Sequence, residues 1–214
     1  MNLEQARTNM VEQQIRTWEV LDQDVLDLLY LVPREQFVPA AHRALAFSDL
    51  EIPIGHDERM WQPKLEARVL QELNIRKTDQ VLEVGTGSGY FTALLAHRGA
   101  QVVSVEINPA LAEFGRANLE RHGADNVVLE IGDASRGWPS HARYDVIVLT
   151  GSTPVLPAAF LAQLAPEGRL FAVVGEAPAM AARLVVAGGQ GVTDLFETVI
   201  RPLANAEQPS RFKF

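Results

Sequence analysis

Apolar residues recur at helical spacing over the first 78 positions and in short blocks thereafter, so the rhythm of the chain changes near Asp79. Before that point, residues 3 to 16 and 22 to 31 place apolar side chains on one helical face, Val25, Leu26, Leu28 and Leu29 among them, which predicts two short helices. Val-Pro-Arg-Glu-Gln-Phe-Val-Pro at 32 to 39 reads as a compact turn because its prolines break the period. Ala40 to Ala46 is expected to be helical, and Ser48 to His56 extended, interrupted at Pro53 and Gly55. Pro63 suits the first turn of a further helix running to about Leu73, where its missing N–H would find no partner anyway.

Beyond Asp79, blocks with strand length and β-branched content alternate with helical segments. Strands are expected at Gln80 to Val84, Gln101 to Glu106, Val127 to Ile131, Tyr144 to Thr150 and Arg169 to Val174. Helices are expected at Phe91 to His97, at Pro157 to Leu164, and from the N-cap Asn108 and Pro109 to His122, where Gly123 ends the run. Such alternation predicts an α/β fold, a parallel sheet with helices on both faces. Met180 to Ala187 and Thr193 to Ile200 flank a Gly-Gly-Gln-Gly turn and suit a final antiparallel hairpin. Residues 1–78 would then be an N-terminal helical cap packed on the main domain, 79–214, and sharing its core.

Composition narrows the function. The 214 residues are 47% hydrophobic and 21% charged, ordinary for a globular chain of one domain plus an appendage. Zero cysteines exclude disulfides, thiolate metal sites and a cysteine nucleophile. A net charge of -8 opposes strong binding to a phosphate backbone, and the arginines within 33 to 35, 116 to 121 and 201 to 211 lie among acids and read as solvated surface. No apolar run approaches the roughly 18 residues of a membrane span, and the first residues lack the basic and apolar regions of a secretory signal. The expectation is a cytoplasmic protein that binds neither nucleic acid nor membrane.

The densest chemistry lies in Val81 to Tyr90, Val-Leu-Glu-Val-Gly-Thr-Gly-Ser-Gly-Tyr. Gly85, Gly87 and Gly89 follow a buried-strand pattern and precede a helix, the setting in which residues without Cβ let a ligand approach the backbone. Tyr90 falls where a dinucleotide fingerprint needs its third glycine. The pattern Glu83-x-Gly85-x-Gly87-x-Gly89 instead resembles motif I of the class I methyltransferases that use S-adenosylmethionine. Glu106 ends the next strand about 20 residues on, as a ribose-binding carboxylate requires. Glu83 would order the glycine loop and face the cationic end of the donor, and Asp133, in Ile-Gly-Asp-Ala, would contact adenine, with turn chemistry as a rival role. Gly85, Glu106, Asp133 and Thr150 would share the carboxyl edge of the sheet, where open α/β folds bind ligands. The candidate donor-binding set is Glu83, Gly85, Thr86, Gly87, Ser88, Gly89, Tyr90, Glu106, Ile107, Asp133, Ala134 and Thr150.

Other constellations are weaker. His56, Asp57 and Glu58 form a polar cluster without a second ligand group at metal spacing, which favours a solvated loop. His42, His97, His122 and His141 stand alone. Ser88 invites a hydrolase reading with Asp133 and His141, but G-x-S-x-G places its serine differently.

The collinear series of Val32 to Pro39, Ile52-Pro53-Ile54-Gly55, Gln62-Pro63, the glycine motif, Gly132-Asp133, Tyr144 to Thr150 and Pro157 to Gly168 resembles the protein-L-isoaspartate O-methyltransferases over nearly the whole chain. That resemblance implies a class I methyltransferase Rossmann-like sheet, mostly parallel with an antiparallel final hairpin, binding S-adenosyl-L-methionine, releasing S-adenosyl-L-homocysteine and using no metal. It implies methyl transfer to the carboxylate of an isoaspartyl or D-aspartyl residue in damaged protein, by a monomer or weak dimer. Ile54, Gly55, Met60, Trp61 and Ser152 would lie on the acceptor side, with Trp61 and Gln62 at the catalytic position. Family members usually carry a hydroxyl residue, commonly serine, before the Gln-Pro or equivalent pair, in a Thr-Ile-Ser-Gln-Pro type sequence; here Arg59-Met60-Trp61-Gln62-Pro63 puts a large ring there, with one N–H donor. Ser152 and Thr153 are candidate replacement hydroxyls. The expectation is that donor binding survives and isoaspartyl activity is weak or absent. Trp61 could instead anchor the core or stack an aromatic small-molecule acceptor, or the chain could be a non-catalytic donor-binding module.

Overall fold

The computed structural model describes residues 2–141, 143–189 and 191–209. Five parallel strands, β3 (Gln80–Val84), β4 (Gln101–Glu106), β5 (Val127–Ile131), β6 (Tyr144–Leu149) and β7 (Leu164–Glu176), join antiparallel β8 (Ala179–Val186) and β9 (Gly191–Glu197) in the order β5-β4-β3-β6-β7-β8-β9. The order reverses between β3 and β6, so a crevice opens at the carboxyl ends of these two central strands. Val81, Leu82, Val84, Val102, Val103 and Val105 are buried because helices cover both faces.

The helices follow their capping chemistry. In α5 (Pro109–His122) the Asn108 side chain accepts from the amides of Ala110 and Leu111, Pro109 opens the first turn, and Gly123 closes the end in a left-handed conformation. Pro63 opens α3 (Pro63–Leu73), which buries Leu65, Val69, Leu70 and Leu73. One apolar cluster runs without a break from Met10, Ile15 and Leu29 through Trp61 and Leu70 to Phe91, Val146 and Phe171, so the N-terminal segments and the sheet share a core.

Several boundaries differ from the pattern along the chain. The first helical stretch is α1 (Leu3–Met10), continued by a wider turn at Val11–Ile15 and a tighter one at Arg16–Trp18, ending at left-handed Glu19; α2 is Gln23–Leu31, and Ala40–Leu45 forms only tight turns. The stretch at 48 to 56 contributes β1 (Ile52–Gly55), which turns back through His56 and Asp57 into β2 (Glu58–Met60). Both turn residues have positive φ, 52 and 65 degrees, as a tight hairpin demands, and Asp and His tolerate that region better than most. α4 (Tyr90–Arg98) covers the expected Phe91 to His97, whereas α6 (Ala158–Ala162) is shorter than the expected Pro157 to Leu164, because Leu164 already belongs to β7. β7 begins earlier than expected because Leu164 pairs with Tyr144 before the chain bulges and resumes pairing at Arg169 with Val146. β9 ends earlier because the chain peels off to run beside Ser152, whose N–H donates to Arg201 O at 2.8 Å and whose hydroxyl donates to Ile200 O at 3.2 Å. No helix among the described residues is long and apolar enough to cross a membrane.

Candidate functional site

The glycine bend joins β3 to α4 and lines the crevice at the carboxyl ends of β3 and β6. Gly85, Gly87 and Gly89 all take positive φ, and a Cβ at Gly85 would stand 2.2 Å from Thr150 Oγ1. That hydroxyl donates to Val84 O and Gly85 O, both at 2.8 Å, and so ties the end of β6 to the bend. A Cβ at Gly89 would meet Gly115 O at 2.9 Å, so Gly115 on α5 is a second small residue on which the bend depends.

Glu106 points into this bend. Its Oε2 accepts from Gly87 N at 2.9 Å and its Oε1 from Asn108 N at 3.0 Å, so one carboxylate joins the glycine loop to the start of α5. Each oxygen keeps a further lone pair for a ligand hydroxyl. Glu83 is fully buried, with Thr92 Oγ1 and Ser104 Oγ each donating to Oε2 at 2.6 Å, and Thr86 Oγ1 lies 2.6 Å from the same serine hydroxyl. Asp133 Oδ1 accepts from Ser135 N and Oδ2 from Asn205 Nδ2, both at 2.9 Å. Against the upward push of burial, these bonds hold the Asp133 carboxyl below its usual range.

A cleft of about 1010 Å³, its open mouth included, runs over these groups. Of the expected donor-binding residues, Glu83, Gly85, Thr86, Gly87, Ser88, Glu106, Ile107, Asp133, Ala134 and Thr150 line it. Gly89 lies behind the bend, and Tyr90 turns into the core, with the Arg34 guanidinium 4.8 Å from its ring centre and Phe37 edge-on at 5.5 Å. On the acceptor side Ile54, Met60 and Trp61 line the cleft, whereas Gly55, Gln62 and Ser152 do not. Ser152 is fully buried and spends its hydroxyl on Ile200 O, and Thr153 spends its own on Val155 O, so neither stands in for a serine at position 61.

Trp61 is wedged among Phe91 and Phe171, at 5.6 and 6.4 Å between ring centres, and is 7% exposed. Its carbonyl accepts from Arg34 Nη2 at 2.5 Å, and the same guanidinium pairs with Glu66 and donates to Ala46 O. Arg34 is therefore buried rather than solvated, because Ala46, Trp61 and Glu66 converge on its donors. Arg201, by contrast, stays exposed and borders the cleft, bonded to Asp57 at 3.1 Å and 3.9 Å from Glu58. With Pro202, Leu203 and Ala204 it forms a side of the cleft that no local motif announces. Among the described residues no three His, Asp or Glu side chains gather as a metal site. His97 and His122 pair through their Nε2 atoms at 3.0 Å, away from the cleft, and His141 pairs with Glu130.

A family model described as protein-L-isoaspartate(D-aspartate) O-methyltransferase matches residues 5–200. The protein-L-isoaspartate O-methyltransferase 1 of Syntrophobacter fumaroxidans is 38% identical over 192 residues, which cover 90% of each chain. The protein-L-isoaspartate O-methyltransferase of Methanoculleus marisnigri is 43% identical over 169 residues, covering 79% of this chain and 77% of its own. Among solved structures, a Plasmodium falciparum chain in complex with S-adenosyl-L-homocysteine shares the fold, with a TM-score of 0.79 at 20% identity over 92% of this chain and 97% of that one.

Proposed function

The chain belongs to the protein-L-isoaspartate(D-aspartate) O-methyltransferase family, and from that premise we propose that it transfers a methyl group from S-adenosyl-L-methionine to a carboxylate acceptor. The bond from Gly87 N to Glu106 carries this reading, because it sets a free-sided carboxylate against a backbone stripped of Cβ atoms at the sheet edge. The residues fit the donor: Gly85 and Gly87 leave room for close approach, Glu106 offers lone pairs to ribose hydroxyls, and Glu83 presents a buried acid to a cation. When bound, the donor supplies an electrophilic methyl on a sulfonium. Glu106 would hold the sugar, Asp133 and Ile107 would border the base, and Ile54 and Met60 would exclude water from the methyl.

The acceptor needs no general base. A carboxylate with an ordinary pKa near 4 is ionised at neutral pH, so alignment and exclusion of water are what the protein must supply; alignment alone can lower a barrier by several kcal/mol. An isoaspartyl residue is the acceptor the family membership favours. Trp61 alters its seat, replacing a small hydroxyl with a ring that fills space and offers one donor. Stacking of an aromatic small molecule on Trp61 draws little support, since Phe91 and Phe171 already pack against the indole.

Transfer of labelled methyl to an isoaspartyl peptide is therefore expected to be slow in the natural chain and to rise about tenfold in Trp61→Ser, the scale of one hydrogen bond to a charged group. Because the serine variant loses core packing, its fold is checked by binding of S-adenosyl-L-homocysteine. Fast turnover by the natural chain would contradict the role given to Trp61. Binding of the donor without transfer to any carboxylate by either form would contradict the enzymatic reading.

A further inference from the structure

Glu83 is buried on β3 with one oxygen engaged and one spare. Thr92 and Ser104 both donate to Oε2, while Oε1, equally buried, meets no partner among the described residues, and the side chain lines the cleft. The charged groups that act on it are carboxylates, Glu106 from the neighbouring strand β4 and Glu66 from α3. Arg34 is committed to Glu66, and Arg201, on the wall of the same cleft, to Asp57. A desolvated carboxyl without a counter-charge stays neutral or waits for a cation. Burial pushes Glu83 up to about 8, its two hydroxyl bonds only partly opposing this, which favours the protonated acid at neutral pH.

We propose that Glu83 senses ligand charge, giving up its proton when the cationic methyl donor enters the cleft and regaining one when the uncharged product is left, so that the site discriminates donor from product. The inference rests on the donor assignment above. Donor and product share an ammonium and a carboxylate, which offset each other; the sulfonium is the charge that differs. In a water-poor site a net positive ligand favours the Glu83 carboxylate, whereas a neutral one leaves the acid protonated. The proton passes to solvent on donor binding. After the acceptor oxygen has formed its bond to the methyl and the sulfur–carbon bond has broken, a proton returns from solvent to Glu83. The returning proton makes the acid neutral again beside the neutral product.

Calorimetric titration at pH 7 in buffers of different ionisation enthalpy counts these protons. The ligands are S-adenosylmethionine, S-adenosylhomocysteine and an analogue with a protonated amine in place of the sulfonium. The natural protein is expected to release most of one proton per site with the two cationic ligands, because burial holds the Glu83 acid above the working pH, and almost none with the product. The ratio of donor to product affinity should climb close to tenfold per pH unit below about 8 and level off above it. Glu83→Gln should remove the release and flatten that ratio. Equal proton counts for donor and product in the natural protein, which needs no variant to fold, would overturn the inference alone, as would full release by Glu83→Gln. Absence of heat with all three ligands would overturn the donor assignment and this inference together.

Discussion

Arg34→Leu is expected to lower the free energy of unfolding by about 3–5 kcal/mol, the cost of leaving a buried charge without its partner. Glu66 is 2% exposed and Arg34 fully buried, and burial already pushes the Glu66 carboxyl up to about 7 against the pull of the guanidinium. Removing that guanidinium strands the acid and also leaves the carbonyls of Ala46 and Trp61 without their donors. Urea denaturation with an unchanged slope measures the loss. The double variant Arg34→Leu, Glu66→Leu should regain much of it, since two apolar groups leave no charge behind. A cost below about 1 kcal/mol for the single variant would mean the pair contributes no more than a surface contact. Because Arg34 grips the backbone of Trp61, the same variant should also loosen the wall of the cleft.

Glu106→Ala should weaken binding of S-adenosylhomocysteine on the order of 100-fold, about 3 kcal/mol, the worth of one or two hydrogen bonds to a charged group. Two effects combine. The ribose loses its acceptor, and the amides of Gly87 and Asn108 lose the carboxylate that holds the bend against α5. Glu106→Gln separates them, because its amide keeps one acceptor oxygen and should retain an intermediate affinity. Titration calorimetry reads both variants, and an affinity within threefold of the natural chain in Glu106→Ala would detach this acid from the site.

The bend was legible because its signals are adjacent in sequence. Glycines that avoid a Cβ clash with Thr150, and an acid at the end of the next strand, occupy consecutive units of one alternating pattern. The helix caps at Asn108 and Pro63 were legible for the same reason, since capping is a property of three or four neighbouring residues. What escaped is built from distant partners. Arg34 meets Glu66 across 32 positions and Asn205 meets Asp133 across 72, and nothing in either stretch distinguishes a buried arginine from a solvated one. The β1–β2 hairpin was missed because its turn uses His56 and Asp57 where Gly or Asn would have marked it. Ser152 shows the converse error: a hydroxyl after a strand suggests a ligand, but its chemistry is consumed by the peeled chain at Ile200 and Arg201.

A crystal structure of the chain with S-adenosylhomocysteine tests the donor site most directly. The ribose hydroxyls should lie about 2.5–3.0 Å from the Glu106 carboxylate, with the ligand backed by the peptide units of Gly85 to Gly87. A ligand seated elsewhere, or one in this cleft that leaves Glu106 untouched, would contradict the account.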